Sequence, residues 1–240
     1  CIEKIMRPIK IIRRYNKFAL GSCLFCMGNT QVLCNATIQQ GQPPHLKGTN
    51  SGWITAEYFM LPQSSSQQRN SRQQQLTSGR TKEISRIIGR SLRAVVDLNL
   101  LGPNTVIIDC DVLQADGGTR TAAINGAFVA LHDLCTKLIK DKVLSTNPIK
   151  KFLASISAGI VNGKKIVDLC QQEDNNAEVD ITVVMTEDKE LVELQYTAEK
   201  KLYDLKTLPQ LVELAWDDIS KIISLLKKLL SSNRNTITYK

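Results

Sequence analysis

NTVIIDCDVLQADGGTRTAAINGAFVALHDL, residues 104–134, changes its period in the middle, and that change decides the fold. Residues 104–114 alternate as a strand does, which places Asp109 and Asp111 on one face. From about Arg120 the apolar positions Ile124, Ala127, Phe128, Leu131, Leu134 and Leu138 recur at helical spacing and form a buried face. Between them lies a strand-to-helix turn, Asp116-Gly117-Gly118-Thr119. A strand feeding a core helix is a unit of mixed α/β architecture.

Upstream, short strands are expected at 9–14, 18–26, 30–38 and 52–60, broken by GNT at 28–30 and GQPP at 41–44. After Thr81 the stripe Ile84, Ile87, Ile88, Leu92 and Val95 predicts a helix, with Arg86, Arg90 and Arg93 beside it as a solvated face or subunit contact. Downstream of Asn147-Pro148, strands are expected at 153–161, 165–170, 179–185 and 190–195, and an amphipathic helix at 208–231. GIVNGK at 159–164 supplies a hairpin turn; its glycines are too close, and Lys165 stands in the wrong place, for a phosphate loop. Strands followed by helices, twice over, give a single mixed α/β (α+β) domain spanning 1–240. Residues 63–79, QSSSQQRNSRQQQLTSG, have no apolar period and no acid; they read as a connector or as a basic arm that grips phosphates.

Lys and Arg outnumber Asp and Glu by 31 to 23, a formal charge of +8 that favours a polyanionic partner. Seven scattered cysteines form no disulfide framework, and a reducing, cytoplasmic compartment fits them. Cys23 and Cys26 form a C-x-x-C inside the strand ALGSCLFCMG, where spacing by three puts them on opposite faces, so they read as strand cysteines rather than a zinc site. No run approaches the roughly 18 apolar residues of a membrane span, and no membrane partner is expected. The chain opens on Cys1 rather than Met, and a few native residues are expected in front of it.

Two histidines, His45 and His132, without metal-ligand spacing remove metalloprotease chemistry, and no G-x-S-x-G elbow occurs. The turn at 116–120 can instead cradle an anion: Gly117 and Gly118 allow close approach, the helix N-terminus adds partial positive charge, and Arg120 adds a planar fork. The alternative is an ordinary turn capped by Thr119. Gly79-Arg80-Thr81 is a second candidate anion contact. In EDNNAEVD, Asp174 is expected to end one strand and Asp180 to begin the next, so that the two converge on a hard cation such as magnesium or simply flank a polar turn.

These pieces occur in a specific order: RP at 7–8, GNTQVLCNA at 28–36, WITAEYFMLP at 53–62, GRTKEISRIIGRSLRAVVDL at 79–98 and IDCDVLQADGGTRTAAINGA at 108–127, then ISAGIVNG, ED with a later Asp, VVMT and TAE. In this the chain resembles the ribonuclease PH family of phosphorolytic 3′ exoribonucleases, which finish transfer RNA 3′ ends. The resemblance implies that Arg80, Gly118, Thr119 and Arg120 bind inorganic phosphate, the co-substrate, and that Asp174 and Asp180 hold Mg2+. It also implies that Arg69 and Arg72 steer the RNA strand, and that six copies assemble as a trimer of dimers around a channel. The chain departs from the family pattern at Gln63, Asn29, Tyr196 and Lys200, where Arg, Asp, Gly and Gly are usual. An exosome-type ring subunit and a catalytically impaired RNA-binding homologue are the competing readings; the second is expected to have lost Arg120 or the carboxylate pair.

Overall fold

The computed structural model describes residues 6–66, 69–232 and 234–239, so Cys1 and Gln67 and Gln68 of the polar segment lie outside the described residues. β1 (Ile9–Arg13), β2 (Gly21–Met27), β3 (Thr30–Gln40), β4 (Trp53–Met60), β5 (Asn104–Gln114) and β10 (Thr236–Tyr239) form one sheet in the order β10-β1-β2-β3-β5-β4. β6 (Leu153–Val161), β7 (Lys164–Val167), β8 (Val179–Thr186) and β9 (Leu191–Ala198) form a second, in the order β7-β6-β8-β9. Helices α1 (Arg72–Thr77), α2 (Gly79–Ala94), α3 (Thr119–Lys140), α4 (Gln171–Asn176) and α5 (Thr207–Leu230) complete the mixed α/β architecture.

α3 packs on β2 and β3 on one side and on β6 on the other. Sixteen of its 22 residues are therefore buried. Among the described residues it is the one helix long and apolar enough to cross a membrane, and it lies inside the protein as the shared core of two sheets. Asn125 makes this packing specific. β7 pairs with β6 only over Ala158–Val161, which leaves the Ser155 peptide open on that side; Asn125 accepts from Ser155 N–H at 2.8 Å and donates to its carbonyl at 2.9 Å. A buried peptide with no partner costs about 1–3 kcal/mol, so one side chain satisfies what the short neighbouring strand cannot reach. Arg13 and Asp133 form a buried ion pair between β1 and α3, and Arg13 Nη1 also donates to Leu229 O at 3.1 Å at the end of α5.

The open edge of β4 is covered by side chains. Ser85 accepts from Tyr58 N–H at 3.0 Å, Arg93 donates to Ile54 O at 2.6 Å, and Gln75 both accepts from Met60 N–H at 2.6 Å and donates to its carbonyl at 2.8 Å. Part of the segment read as a connector or basic arm is helical, over Arg72–Thr77, because Gln75 is buried by hydrogen bonding along a strand edge rather than by apolar contact. Other elements differ from the expected bounds as well. β2 starts at Gly21 instead of 18, since Phe18 is apolar yet 85% exposed in the preceding turn. The strand expected at 165–170 stops at Val167, because Asp168 takes φ +56°. β10, absent from the sequence reading, extends the first sheet by pairing with β1. Cys23 and Cys26 do fall on opposite faces of β2, with Cys23 buried and Cys26 half-buried.

Candidate active site

The end of β5, the first turns of α2 and α3, α4 and the adjoining ends of β8 and β9 surround one cavity of about 650 Å³. Its walls bring together Arg80, Gly118, Thr119, Arg120, Asp174 and Asp180 from four separate segments of sequence. Arg69 and Arg72 are not brought in: both are exposed, and only Asn70 between them reaches the cavity wall.

One wall suits an anion. Gly117 and Gly118 adopt φ +75° and +65°, and a Cβ on Gly117 would lie 2.4 Å from Leu169 O, so only glycine fits there. Gly118, not Thr119, is the N-cap of α3, and no side chain caps that end. The alternative of a turn capped by Thr119 is thereby set aside, and the first amides of the helix are left for another acceptor. Tyr58, buried under the turn, donates its hydroxyl to Thr119 Oγ1 at 2.8 Å, which frees the Thr119 proton to point at a ligand. Burial raises the Tyr58 pKa despite its bond to Thr119 and the nearby charges of Arg80 and Arg120, so it stays a donor. Arg120 Nη1 is held by Gln195 Oε1 at 2.7 Å. Arg80 occupies the first turn of α2.

The opposite wall is acidic. Asp174 does not end a strand, as the sequence suggested; it lies on α4, a single turn made by a capping box between Cys170 and Glu173. Asp180 sits in β8 opposite Thr197 of β9, and strand alternation puts Thr182, Gln195 and Thr197 on the same face. Burial is the main cause raising both carboxyls. Asp180 is pushed up to about 6, first by burial and then by the charge of Asp174, with Glu199 adding to it and Arg120 and Arg80 opposing. Asp174 is raised by burial against the pull of Arg80 and Arg120.

Two carboxylates that repel one another in a shared cavity match an oxygen-only cation site, and magnesium typically takes one or two carboxylates with phosphate and water completing its shell. Among the described residues no group of three or more His, Cys, Asp and Glu side chains is placed to hold a metal ion.

Several cavity residues were not singled out by their chemistry in the sequence. Glu199, which lines the cavity, and Tyr58, which supports Thr119 from beneath, lie inside the quoted segments TAE and WITAEYFMLP, but nothing local marks either for its place. Lys200, noted only as a departure, lines the cavity and donates to Asn175 O at 2.9 Å. Asn29, another departure, donates to Asp116 Oδ2 at 3.1 Å beside the glycine turn.

On a two-sheet frame built around one buried helix, these walls define a mixed α/β protein whose cavity has two arginines and a helix N-terminus on one side and two carboxyl groups on the other. The chain belongs to the RNase PH family of 3′ exoribonucleases: residues 5–137 match its 3′ exoribonuclease family, domain 1, and residues 151–217 match domain 2. The same fold recurs in the Archaeoglobus fulgidus exosome with RNA bound to the active site, with a TM-score of 0.78 at 22% identity over 92% of this chain and 88% of that one. Rice (Oryza sativa) Rrp46 aligns with a TM-score of 0.74 at 19% identity, over 95% of this chain and 96% of that one. An archaeal exosome core aligns with a TM-score of 0.75 at 23% identity, over 93% and 87%.

Proposed function

We propose that this protein is a phosphate-dependent 3′-to-5′ exoribonuclease that trims transfer RNA precursors and releases nucleoside diphosphates. The observation that carries the reading is that Arg80 and Arg120 share one cavity with Asp174 and Asp180. A catalytically impaired homologue is expected to have lost Arg120 or the carboxylate pair, and this chain keeps both.

In this reading Gly118, Thr119, Arg80 and Arg120 hold inorganic phosphate, with the guanidinium fork and helix N-terminus fixing its orientation. One phosphate oxygen forms a bond to the phosphorus of the terminal nucleotide, and the bond to the neighbouring ribose 3′ oxygen breaks. The proton carried by hydrogen phosphate ends on that oxygen, and a nucleoside diphosphate leaves. Bound phosphate is already an anionic nucleophile, so positioning and charge stabilisation provide most of the effect and no histidine is needed. Asp174 and Asp180 would hold Mg2+, which when bound neutralises charge on the scissile phosphodiester. Because similar linkages are exchanged, the reverse addition of nucleotides from diphosphates is expected as well. The assembly proposed is a homohexamer in the cytoplasm.

The second reading, a subunit of an exosome-type ring, draws on the exosome structures that share the fold. Purification separates the two: a single chain that assembles with itself and is active alone supports the first.

The test is RNA with a free 3′ hydroxyl, incubated with Mg2+ in the presence and absence of inorganic phosphate. Diphosphates appearing only with phosphate are expected; monophosphates without it would mean hydrolysis, and no product would leave a binding role.

A further inference from the structure

We propose that Arg7 and Thr30 are positioning residues that hold the glycine turn from behind and so set the protein's affinity for inorganic phosphate. The inference rests on the phosphate-dependent reading above and gives a role to RP at 7–8 and GNT at 28–30, which that reading leaves unused. Neither side chain lines the cavity.

Arg7 donates through Nη1 to Asp116 O at 2.5 Å and through Nη2 toward Gly117 O and Leu169 O at 3.5 and 3.4 Å. Asp168 fixes that guanidinium, accepting from Nε at 2.9 Å and Nη2 at 2.6 Å and from the Arg7 backbone N–H at 2.8 Å. The pair is deeply buried, with Arg7 11% and Asp168 0% exposed. Thr30 completes the tie: its hydroxyl donates to Gly117 O at 2.6 Å and accepts from Asp116 N–H at 2.9 Å.

The consequence follows from peptide geometry. The described residues contain no cis peptide, and in a planar trans peptide the carbonyl and the next N–H point in opposite directions. Holding the carbonyls of Asp116 and Gly117 back against Arg7 and Thr30 therefore turns the N–H groups of Gly117 and Gly118 the other way, toward the cavity that both glycines line. Glycine peptides flip easily because both signs of φ are open to them. Without the two ties the turn can present carbonyl oxygens to the cavity, and these repel an anion.

The experiment uses the intact chain carrying Arg7→Lys or Thr30→Val, with Thr30→Ser as the conservative variant. Binding of labelled inorganic phosphate is measured by equilibrium dialysis, RNA binding is measured without phosphate, and the phosphate KM is separated from kcat. Arg7→Lys and Thr30→Val are expected to weaken phosphate binding about tenfold and raise its KM to match, corresponding to the loss of one or two buried hydrogen bonds. RNA affinity should not change, kcat at saturating phosphate should stay within about threefold, and Thr30→Ser should restore binding. A merely structural role would lower RNA and phosphate binding together, in step with the folded fraction. That outcome, or unchanged phosphate affinity in both variants, overturns the inference while leaving the functional reading intact. Failure of the unmodified protein to bind phosphate would overturn both.

Discussion

Gln195 joins Arg120 to Glu83: it accepts from Arg120 Nη1 at 2.7 Å and donates through Nε2 to Glu83 Oε1 at 3.0 Å. Three elements, α3, β9 and α2, thus agree on where one guanidinium lies. If Arg120 holds phosphate at the transition state, Arg120→Ala removes charge-assisted hydrogen bonds worth about 1.5–3 kcal/mol and lowers kcat/KM by about one to two decades. Gln195→Ala, which frees but does not remove Arg120, should cost less, mainly in the phosphate KM. Steady-state kinetics on both variants check the order of the two effects.

Asp180 predicts a pH-dependent stability of unusual sign. Its folded-state value of about 6 stands above the ordinary 3.8, so between these pH values the folded protein holds a proton that the unfolded chain has lost. The group therefore favours folding less as pH rises through that window, and ionised Asp180 costs about 3 kcal/mol at neutral pH. Asp180→Asn should raise the urea midpoint at pH 7.5 in metal-free buffer and change it little at pH 4. Equal effects at the two pH values would contradict the assignment.

Added Mg2+ should stabilise the wild-type protein at pH 7.5, because a ligand that binds only the folded state adds to its stability, and the gain should shrink below pH 6 as Asp180 takes up its proton. Thermal melts with and without Mg2+, repeated on Asp180→Asn, measure this; an equal gain in the variant would place the metal elsewhere.

Gly117→Ala meets two obstacles, a φ of +75° and a Cβ position 2.4 Å from Leu169 O. Backbone strain of about 1–3 kcal/mol is expected, with loss of phosphate affinity. Denaturant unfolding and phosphate titration of the variant test both parts.

Gln75→Ala should act locally. It unpairs the Met60 peptide at the edge of β4 and releases α1, a loss of about 1–2 kcal/mol. Faster amide exchange confined to residues 60–78, with the core of α3 still protected, is the expected pattern.

Much of the fold is legible wherever burial and period coincide, as in the strand at 104–114 and the helix that follows it. The misread parts are those stabilised by polar contacts rather than by apolar burial. α1 is held by an amide on a strand edge, and α4 by a capping box one turn long, so neither leaves an apolar period. β10 is too short to announce itself without β1 beside it. The same limit applies to the cavity. The glycine turn and the carboxylates carry local signals, whereas Arg7 and Asp168 meet across 161 positions of sequence and mark themselves only once folded.

In the proposed reaction inorganic phosphate is the attacking group. Labelled inorganic phosphate, RNA with a free 3′ hydroxyl and Mg2+ should yield nucleoside diphosphates carrying the label solely in the β position, and Arg120→Ala should slow its appearance. Unlabelled mononucleotides, released at a rate indifferent to phosphate, would contradict the account.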